Sequence, residues 1–545
     1  MFSESIKSLF LRLVATQSDT NTHRETYIEE QILYWIKEQA YFSEHPEYCG
    51  AYPIENDPYQ RSVIWSLVKG RGDKTIVLMH HHDAVDIEEY GKLKSVALRP
   101  DELIEALSNK KIPAQAKIDL ESGNWTFGRG VADMKSGAAI QLVLSAYFSE
   151  LEDFEGNILL LSVPDEETLS RGMLGAVTLM TTLRDQYKLN YLLTINSEPY
   201  FNQTKGKAIF YEGSVGKIMP VLFVKGVKSH IGEPFNGFNP SLVLSDLQRK
   251  TELNIDLCDV LGEEATPPPV WVNLKDRKKA YDASIPEAAT GYFNWLTFTR
   301  SPKHIMDKLV SLANRSLRDT LIYFADAYEN YCNLTGDIPE KISFIPKVYT
   351  FEQIYQMAMT EIGQSFEARY EEFQEELNAL LVENTITLPE ATTRLVEFVQ
   401  DAIDLEGPAI IVALSGPYYP HVNNMKISKK LSFSLEETIN KIAAEKYDLV
   451  FESQSYFMGI SDLSYATWCG NDEDIALIKA NSPGWDTIYR IPFKELSTLN
   501  MPVVNIGPWG KDLHKTTERV HTKDVYERIP YIIKELMTKC LKEDV

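Results

Sequence analysis

Only five cysteines occur in 545 residues, Cys49, Cys258, Cys332, Cys469 and Cys540, and no two of them form a C-x-x-C pair. Their spacing argues against a disulfide framework or a zinc ribbon and fits a reducing, cytoplasmic compartment. Long apolar runs are missing as well. The longest, such as "PAIIVAL", are too short to span a bilayer. The opening "MFSESIKSLFLRLVATQSDT" sets Phe2, Ile6, Leu9, Phe10 and Leu13 at helical spacing around Lys7 and Arg12, which predicts an amphipathic helix rather than a signal peptide. Basic charge is scarce, with 55 Lys and Arg against 78 Asp and Glu and a net charge of -23. Phosphate backbones and anionic membranes reward clustered cations, so neither nucleic acid nor membrane is an expected partner. No internal repeat is visible.

What remains is the composition of a globular chain, 44% hydrophobic and 24% charged, and too long for one ordinary core. Up to about residue 210, short apolar runs alternate with helical patterns, as in a largely parallel α/β sheet with covering helices. The strand candidates are "RSVIWSLVKG", "KTIVLMH", "GNILLLSVP" and "NYLLTINSE". The last three each end in, or run directly into, His, Asp or Glu, and ligand sites in open α/β sheets lie at the carboxyl ends of strands. Beyond "GSVGKIMPVLFVKGVKSH" the pattern changes to a strand, a helix "NPSLVLSDLQRK", a proline-interrupted edge at Pro267 to Pro269, a strand "GYFNWLTFT" and long helical runs. The α/β character returns after about residue 407 in "GPAIIVALSG", "KYDLVFES" and "MPVVNIGPWG". The expected fold is therefore α/β, a mixed and mostly parallel sheet covered by helices. One domain is built from residues 1–212 and 408–545, with a second inserted over 213–407.

The stretch "HHHDAVD" at 80–86 follows a buried run, so it is no terminal tag; alone it reads equally well as a polar strand end. Its weight comes from four further stretches, "GRGVADMKSGAA", "SVPDEETLSRG", "INSEPY" and "LHKTTERVH". An acidic triplet is ordinarily a solvated face and a glycine pair ordinarily a turn. Taken together, however, the five supply His81, Asp133, Glu166, Glu167, Glu198 and His514. This mixture of imidazole and hard oxygen suits two zinc ions, with cobalt or manganese as alternatives. A carboxylate bridging two cations and a free carboxylate to carry a proton would complete a hydrolytic site.

These stretches, in this order across both outer segments, resemble the dizinc peptidase family that includes glutamate carboxypeptidase, succinyl-diaminopimelate desuccinylase and aminoacylase. The resemblance implies a zinc-exopeptidase-like catalytic domain and an α+β lid domain, here enlarged by helices. It makes His81 and Glu198 ligands of one zinc, Glu167 and His514 ligands of the other, Asp133 the bridge and Glu166 the general base. Asp83 becomes the carboxylate that accepts the second ring N–H of His81, and His80 stands where the family has glycine. His230, in "GVKSHIGEPFNGFNP", resembles the histidine that stabilises the oxyanion. Asn239, Asn294 and Arg300 resemble substrate-binding positions, and Asp462 in "GISDLSY" resembles a loop near the site. The resemblance further implies a cis peptide between Asp133 and Met134. The nearest subgroup is the arginine-utilisation (RocB-type) proteins.

The function expected is zinc-dependent cleavage of an amide in an N-acyl amino acid or short peptide, within arginine or amino-acid catabolism. A dipeptidase or carboxypeptidase is the alternative within enzymes, and a catalytically retired metal- or amino-acid-binding protein is the alternative outside them. The partner expected is a small amide or peptide substrate. The large but mostly helical insertion has no second strand-and-helix unit that would mimic a partner's domain, so a homodimer with His230 delivered in trans is expected.

Overall fold

The computed structural model describes residues 2–201, 206–340, 344–427 and 429–542. Contacts divide the chain into two units, one made of Met1–Ser214, Val422–Cys469 and Pro492–Val545, the other of Val215–His421 and Gly470–Ile491.

The first unit is organised by an eight-stranded mixed sheet, whose order is Cys49–Pro53, Ser62–Lys69, Asn157–Val163, Lys74–His81, Asn190–Asn196, Val503–Asn505, Ala208–Tyr211 and Phe451–Gln454. Its middle is parallel: Asn157–Val163, Lys74–His81, Asn190–Asn196 and Val503–Asn505 run side by side in one direction. These strands are almost uniformly aliphatic and buried, as strands covered on both faces must be. The helix Ser136–Ser149 is buried nearly all round and packs between the sheet and the amphipathic helix Ser3–Ala15, which buries Ile6, Leu9, Phe10 and Leu13. Register then does the positioning. His81 stands opposite Val163, and Met79 opposite Asn196, so three neighbouring strands end together. Where each apolar run stops, the chain leaves the sheet on a polar residue.

The second unit holds a five-stranded sheet in the order Val270–Asp276, Ala288–Thr297, Gly216–Lys225, Ala409–Tyr419 and Lys347–Thr350, antiparallel except for the last pair. The proline stretch leads into Val270–Asp276, an edge strand, which is where missing N–H donors are tolerated. Around the sheet lie Pro240–Thr251, the 34-residue helix Pro302–Thr335, Phe351–Glu361, Gln364–Val382 and Leu388–Ala402.

The architecture is the expected mixed α/β sheet, but the unit boundary differs from the one expected at residue 408. Ala409–Tyr419 does not rejoin the first sheet; it pairs antiparallel with Gly216–Lys225, from Ala409 opposite Lys225 to Tyr419 opposite Lys217. The chain returns to the first unit only at Val422 and leaves it again for 470–491, where the helix Asp472–Asn481 forms. The physical reason is that all eleven residues of Ala409–Tyr419 are buried. A strand covered on both faces shows the same unbroken apolar run in either sheet.

Candidate metal and catalytic site

Four of the site's side chains hang from three parallel strand ends and two from the connections elsewhere. His81 closes its strand, Glu166 and Glu167 follow Val163, and Glu198 follows Asn196. Asp133 lies in the turn Val131–Lys135, which runs into the helix Ser136–Ser149. A Cβ on Gly137 would meet the Ser197 carbonyl oxygen at 2.4 Å, so this helix can close onto the Glu198 strand end only with glycine at that position. The Asp133–Met134 peptide is cis. His514 sits in the connection between Gly510–Lys511 and Arg519–His521, with a left-handed backbone, φ 63.

The two oxygens of Asp133 face different histidines. Oδ1 lies 3.0 Å from His81 Nε2, and Oδ2 lies 3.2 Å from His514 Nε2. His81 Nε2 is also 3.2 Å from Glu198 Oε1, and His514 Nε2 is 3.2 Å from Glu167 Oε2. Two groups result, His81 with Asp133 and Glu198, and Asp133 with Glu167 and His514, the donor atoms of each lying within 4.8 Å of one another. The donor set fits a pair of divalent cations: each group offers one imidazole and two carboxylates, Asp133 is common to both, and Glu167 Oε1 is buried with no hydrogen-bond partner.

The electrostatics agree with that fit. Burial first, then Asp133, pushes the Glu198 carboxyl up to about 7 against the pull of His81. Glu166 is raised well above its ordinary value, again by burial first and then by Glu198, Asp462 and Glu167, with His81 opposing. Hydrogen bonds to Asp133 and Glu167 raise His514 to about 10. Carboxylates crowded out of water repel one another, and a nearby cation reverses that penalty.

Asp83, buried in full, joins the histidine to the acidic turn. Its carbonyl oxygen and Oδ1 lie 3.1 and 3.4 Å from His81 Nδ1. Its Oδ1 accepts the Glu166 N–H and its Oδ2 the Glu167 N–H, at 3.1 and 3.2 Å, and Oδ2 also accepts from Thr20. Burial disfavours its charge, yet the hydrogen bond and charge of His81 outweigh that and hold it down at about 2. The neighbouring histidines are engaged elsewhere. His80 Nδ1 lies 3.0 Å from Gln141 Oε1 and His82 Nδ1 lies 3.0 Å from Ser162 Oγ. Asp462 is buried in the same unit, its carboxyl pushed up to about 8 by burial, with Ser170 and His81 opposing and Asp83 and Glu198 adding to the rise.

The remaining candidates lie in the second unit. His230 is exposed, and its Nδ1 accepts the Gly232 N–H. Asn239 caps the helix Pro240–Thr251 by accepting from Ser241 N. Asn294 lies on Ala288–Thr297 with its Oδ1 buried and unpartnered. Arg300 donates to the carbonyls of Leu257 and Cys258 at 2.8 and 2.7 Å.

Several supporting residues carry no motif of their own. Gln141 donates to the carbonyls of Met79 and Ile195 and to Ser197 Oγ, tying the His81 and Glu198 strand ends together. Arg129 donates to Glu518, to the Asp86 carbonyl and to the His514 carbonyl, while Glu518 accepts the Ala132 N–H. Arg61 is enclosed by Glu25, Asp57 and Asp165, beneath the turn that carries Glu166. Arg129 lies in the "GRG" before Asp133 and Glu518 in "LHKTTERVH", whereas Gln141 and Arg61 belong to no motif.

A sequence model of peptidase family M20/M25/M40 matches residues 77–532. The protein YqjN of Bacillus subtilis (strain 168) is 33% identical over 556 residues, spanning 99% of this chain and 97% of its own length. Protein RocB of the same organism is 30% identical over 557 residues, spanning 99% and 95%. Among solved structures, the M20 family metallo-carboxypeptidase Sso-CP2 from Sulfolobus solfataricus matches with a TM-score of 0.51 at 11% identity, over 98% of this chain and 99% of that one, a likeness of fold. Among the described residues, no helix is long and apolar enough to cross a membrane.

Proposed function

Because the chain belongs to peptidase family M20/M25/M40 and is a hydrolase, we propose that it is an amidohydrolase that uses two zinc ions to cleave an amide of an N-acyl amino acid or short peptide. His81 and Glu198 would hold one ion, Glu167 and His514 the other, and Asp133 both. The ions, when bound, supply Lewis acidity toward an amide carbonyl and acidify water.

The protein's own part is proton transfer and orientation. Glu166 is the base: a carboxylate oxygen takes a proton from the attacking water and returns it to the departing amine nitrogen. A carboxyl raised by burial beside other acids is suited to holding that proton between the two steps. Asp83 fixes the ring of His81 from Nδ1 and anchors the amides of Glu166 and Glu167, so ligand and base keep one spacing. His230 is assigned to the developing oxyanion, and Asn239, Asn294, Arg300 and Asp462 to substrate binding, on the family resemblance. Asn239 and Arg300 also have local structural duties, so loss of substrate affinity must be separated from loss of stability in their variants.

The observation that carries this reading is the division of Asp133 between two histidines, each with its own second carboxylate, while Glu166 stands beside them outside both groups. A retired binding protein would be free to lose the base or a ligand. The five free thiols support a reducing, cytoplasmic setting, and the subgroup resemblance supports arginine or amino-acid catabolism. We extend the reading to a homodimer in which His230 serves the partner's site; mixing His230→Ala with Glu166→Gln chains should then restore activity.

The test is elemental analysis of protein purified with zinc, together with a panel of N-acyl amino acids and dipeptides. Two ions per chain and hydrolysis of an acylated amino acid are expected. Preference for dipeptides moves the assignment to a dipeptidase or carboxypeptidase, and two ions with no hydrolysis of any amide would leave a binding protein.

A further inference from the structure

The His514 connection springs from the edge of a small three-stranded sheet. Arg519–His521 pairs on one side with Trp125–Phe127 and on the other makes only two pairs with the edge strand, Gly510 with Val520 and Lys511 with Arg519, so residues 512–518 lie beyond the ladder. Asp512 and His514 both adopt left-handed backbone, φ 56 and φ 63, which costs free energy in residues other than glycine. The His514 side chain is 49% exposed, so packing does not fix it. Arg129 grips the backbone at the tip through the His514 carbonyl.

A second clamp closes the base, and it comes from far away in sequence. Asp119 lies on the helix Ala114–Ser122, in the stretch between the His81 and Asp133 motifs, and is 6% exposed. Its Oδ2 accepts from Lys511 Nζ at 2.9 Å and from Arg519 Nε at 2.8 Å, with Arg519 Nη2 at 2.7 Å. One carboxylate oxygen thus joins the two paired residues of the ladder across their side chains. Arg519, 1% exposed, carries the clamp inward: its Nη1 donates to Asp512 Oδ2 and to the Thr517 carbonyl, and Thr517 donates to the same Asp512 oxygen. Lys511 is held from its other sides by the rings of Trp125 and Trp509, 4.3 and 4.2 Å from Nζ to the centroids. Ion pairs on a wet surface are screened and worth little, whereas this one is enclosed.

We infer that Asp119 is a positioning residue for His514, and that its carboxylate sets the affinity of the Asp133, Glu167 and His514 group for a divalent cation without setting that of the His81, Asp133 and Glu198 group. The inference rests on the two-ion reading above. Partners behind metal ligands change affinity by about 10- to 100-fold when lost, and here the loss should fall on one ion only.

The experiment is calorimetric titration of the chelator-stripped full chain with Zn2+, on wild type, Asp119→Asn, Asp119→Glu and Lys511→Met. Wild type should bind two ions with separable constants. Asp119→Asn should weaken one constant about 10- to 100-fold and leave the other unchanged, Asp119→Glu should recover part of the loss, and in a His514→Ala background Asp119→Asn should change nothing further. Lys511→Met keeps the contact with the two tryptophans and the Arg519 pair, and should show a smaller loss at the same ion if Asp119→Asn proves insoluble. Unchanged constants in Asp119→Asn and Lys511→Met, or equal weakening of the single ion left in the His514→Ala background, would overturn the inference. A single ion in wild type would remove the two-ion reading, and this inference with it.

Discussion

The two donor groups share Asp133 and differ in almost everything else. His81 and Glu198 stand on adjacent parallel strands, 2% and 4% exposed, with spacing set by sheet register and by Gln141 across the strand ends. His514 stands on a short hairpin, half exposed and held from outside by Asp119 and Arg129. Equal chemistry is thus presented on unequal supports. A group built into a sheet can move only with the sheet, whereas a group completed by a hairpin can lose one donor while the fold stays intact.

The most drastic way to break the comparison is to remove what the groups share. Asp133→Ala should bind neither ion tightly and reduce hydrolysis to background; elemental analysis that still finds two ions would show that the groups do not depend on a bridge. Next comes Glu166, proposed as the base, which belongs to neither group. Glu166→Gln should lower kcat by about 10²- to 10⁴-fold while two ions remain, and Glu167→Gln should lose the His514 ion. Equal metal loss in both variants would mean that the two roles are exchanged. The comparison is sharpened by His81→Ala against His514→Ala. Each should leave one ion per chain, and after metal removal His81→Ala should cost more thermal stability than His514→Ala, because His81 is buried on the sheet whereas His514 is half exposed.

The last test concerns the sheet support itself, and at pH 7 its pH-dependent part vanishes. Burial holds the His80 imidazole down at about 3, with Gln141 opposing. Its unfolded value is near 6.5, so between those values the unfolded chain binds the extra proton and stability falls as pH falls. The upper bound is about 5 kcal/mol, at about 1.4 kcal/mol per pH unit across that window. His80→Asn should be less stable than wild type at pH 7 and lose stability less steeply from pH 6.5 downward. Parallel denaturation curves for the two proteins across that range would remove His80 from the account.

What could be read from sequence follows the same division. "KTIVLMH", "GNILLLSVP" and "NYLLTINSE" announce both a strand and its functional end, because a buried strand must stop being apolar where it meets the site. His81, Glu166, Glu167 and Glu198 were legible for that reason, whereas the family resemblance supplied Asp133 and His514 and separated His81 from His80 and His82. The boundary near Ala409 was not legible, since burial on both faces erases the distinction between one sheet and another. Nor were Asp119 and Gln141, and Glu518, though inside "LHKTTERVH", gave no sign of its partner Arg129. Asp119 meets Arg519 across 400 positions, and a pairing of that range leaves no periodicity or spacing to find. Arg300 and Asn239 show the converse: polar residues singled out by resemblance, which the structure engages in ordinary capping and tying within their own unit.

The order of the donors along the chain has a consequence for biosynthesis. His81, Asp133 and Glu198 are all polymerised before residue 200, with three of the four parallel central strands that carry the site. His514 and the fourth of those strands, Val503–Asn505, follow about 300 residues later, roughly 15 to 60 s at ordinary rates of translation. Throughout that interval the nascent chain holds one complete set of donors and two members of the other. Metal acquisition on the ribosome would therefore be sequential, with the sheet-borne ion first and the hairpin-borne ion only after His514 has been made.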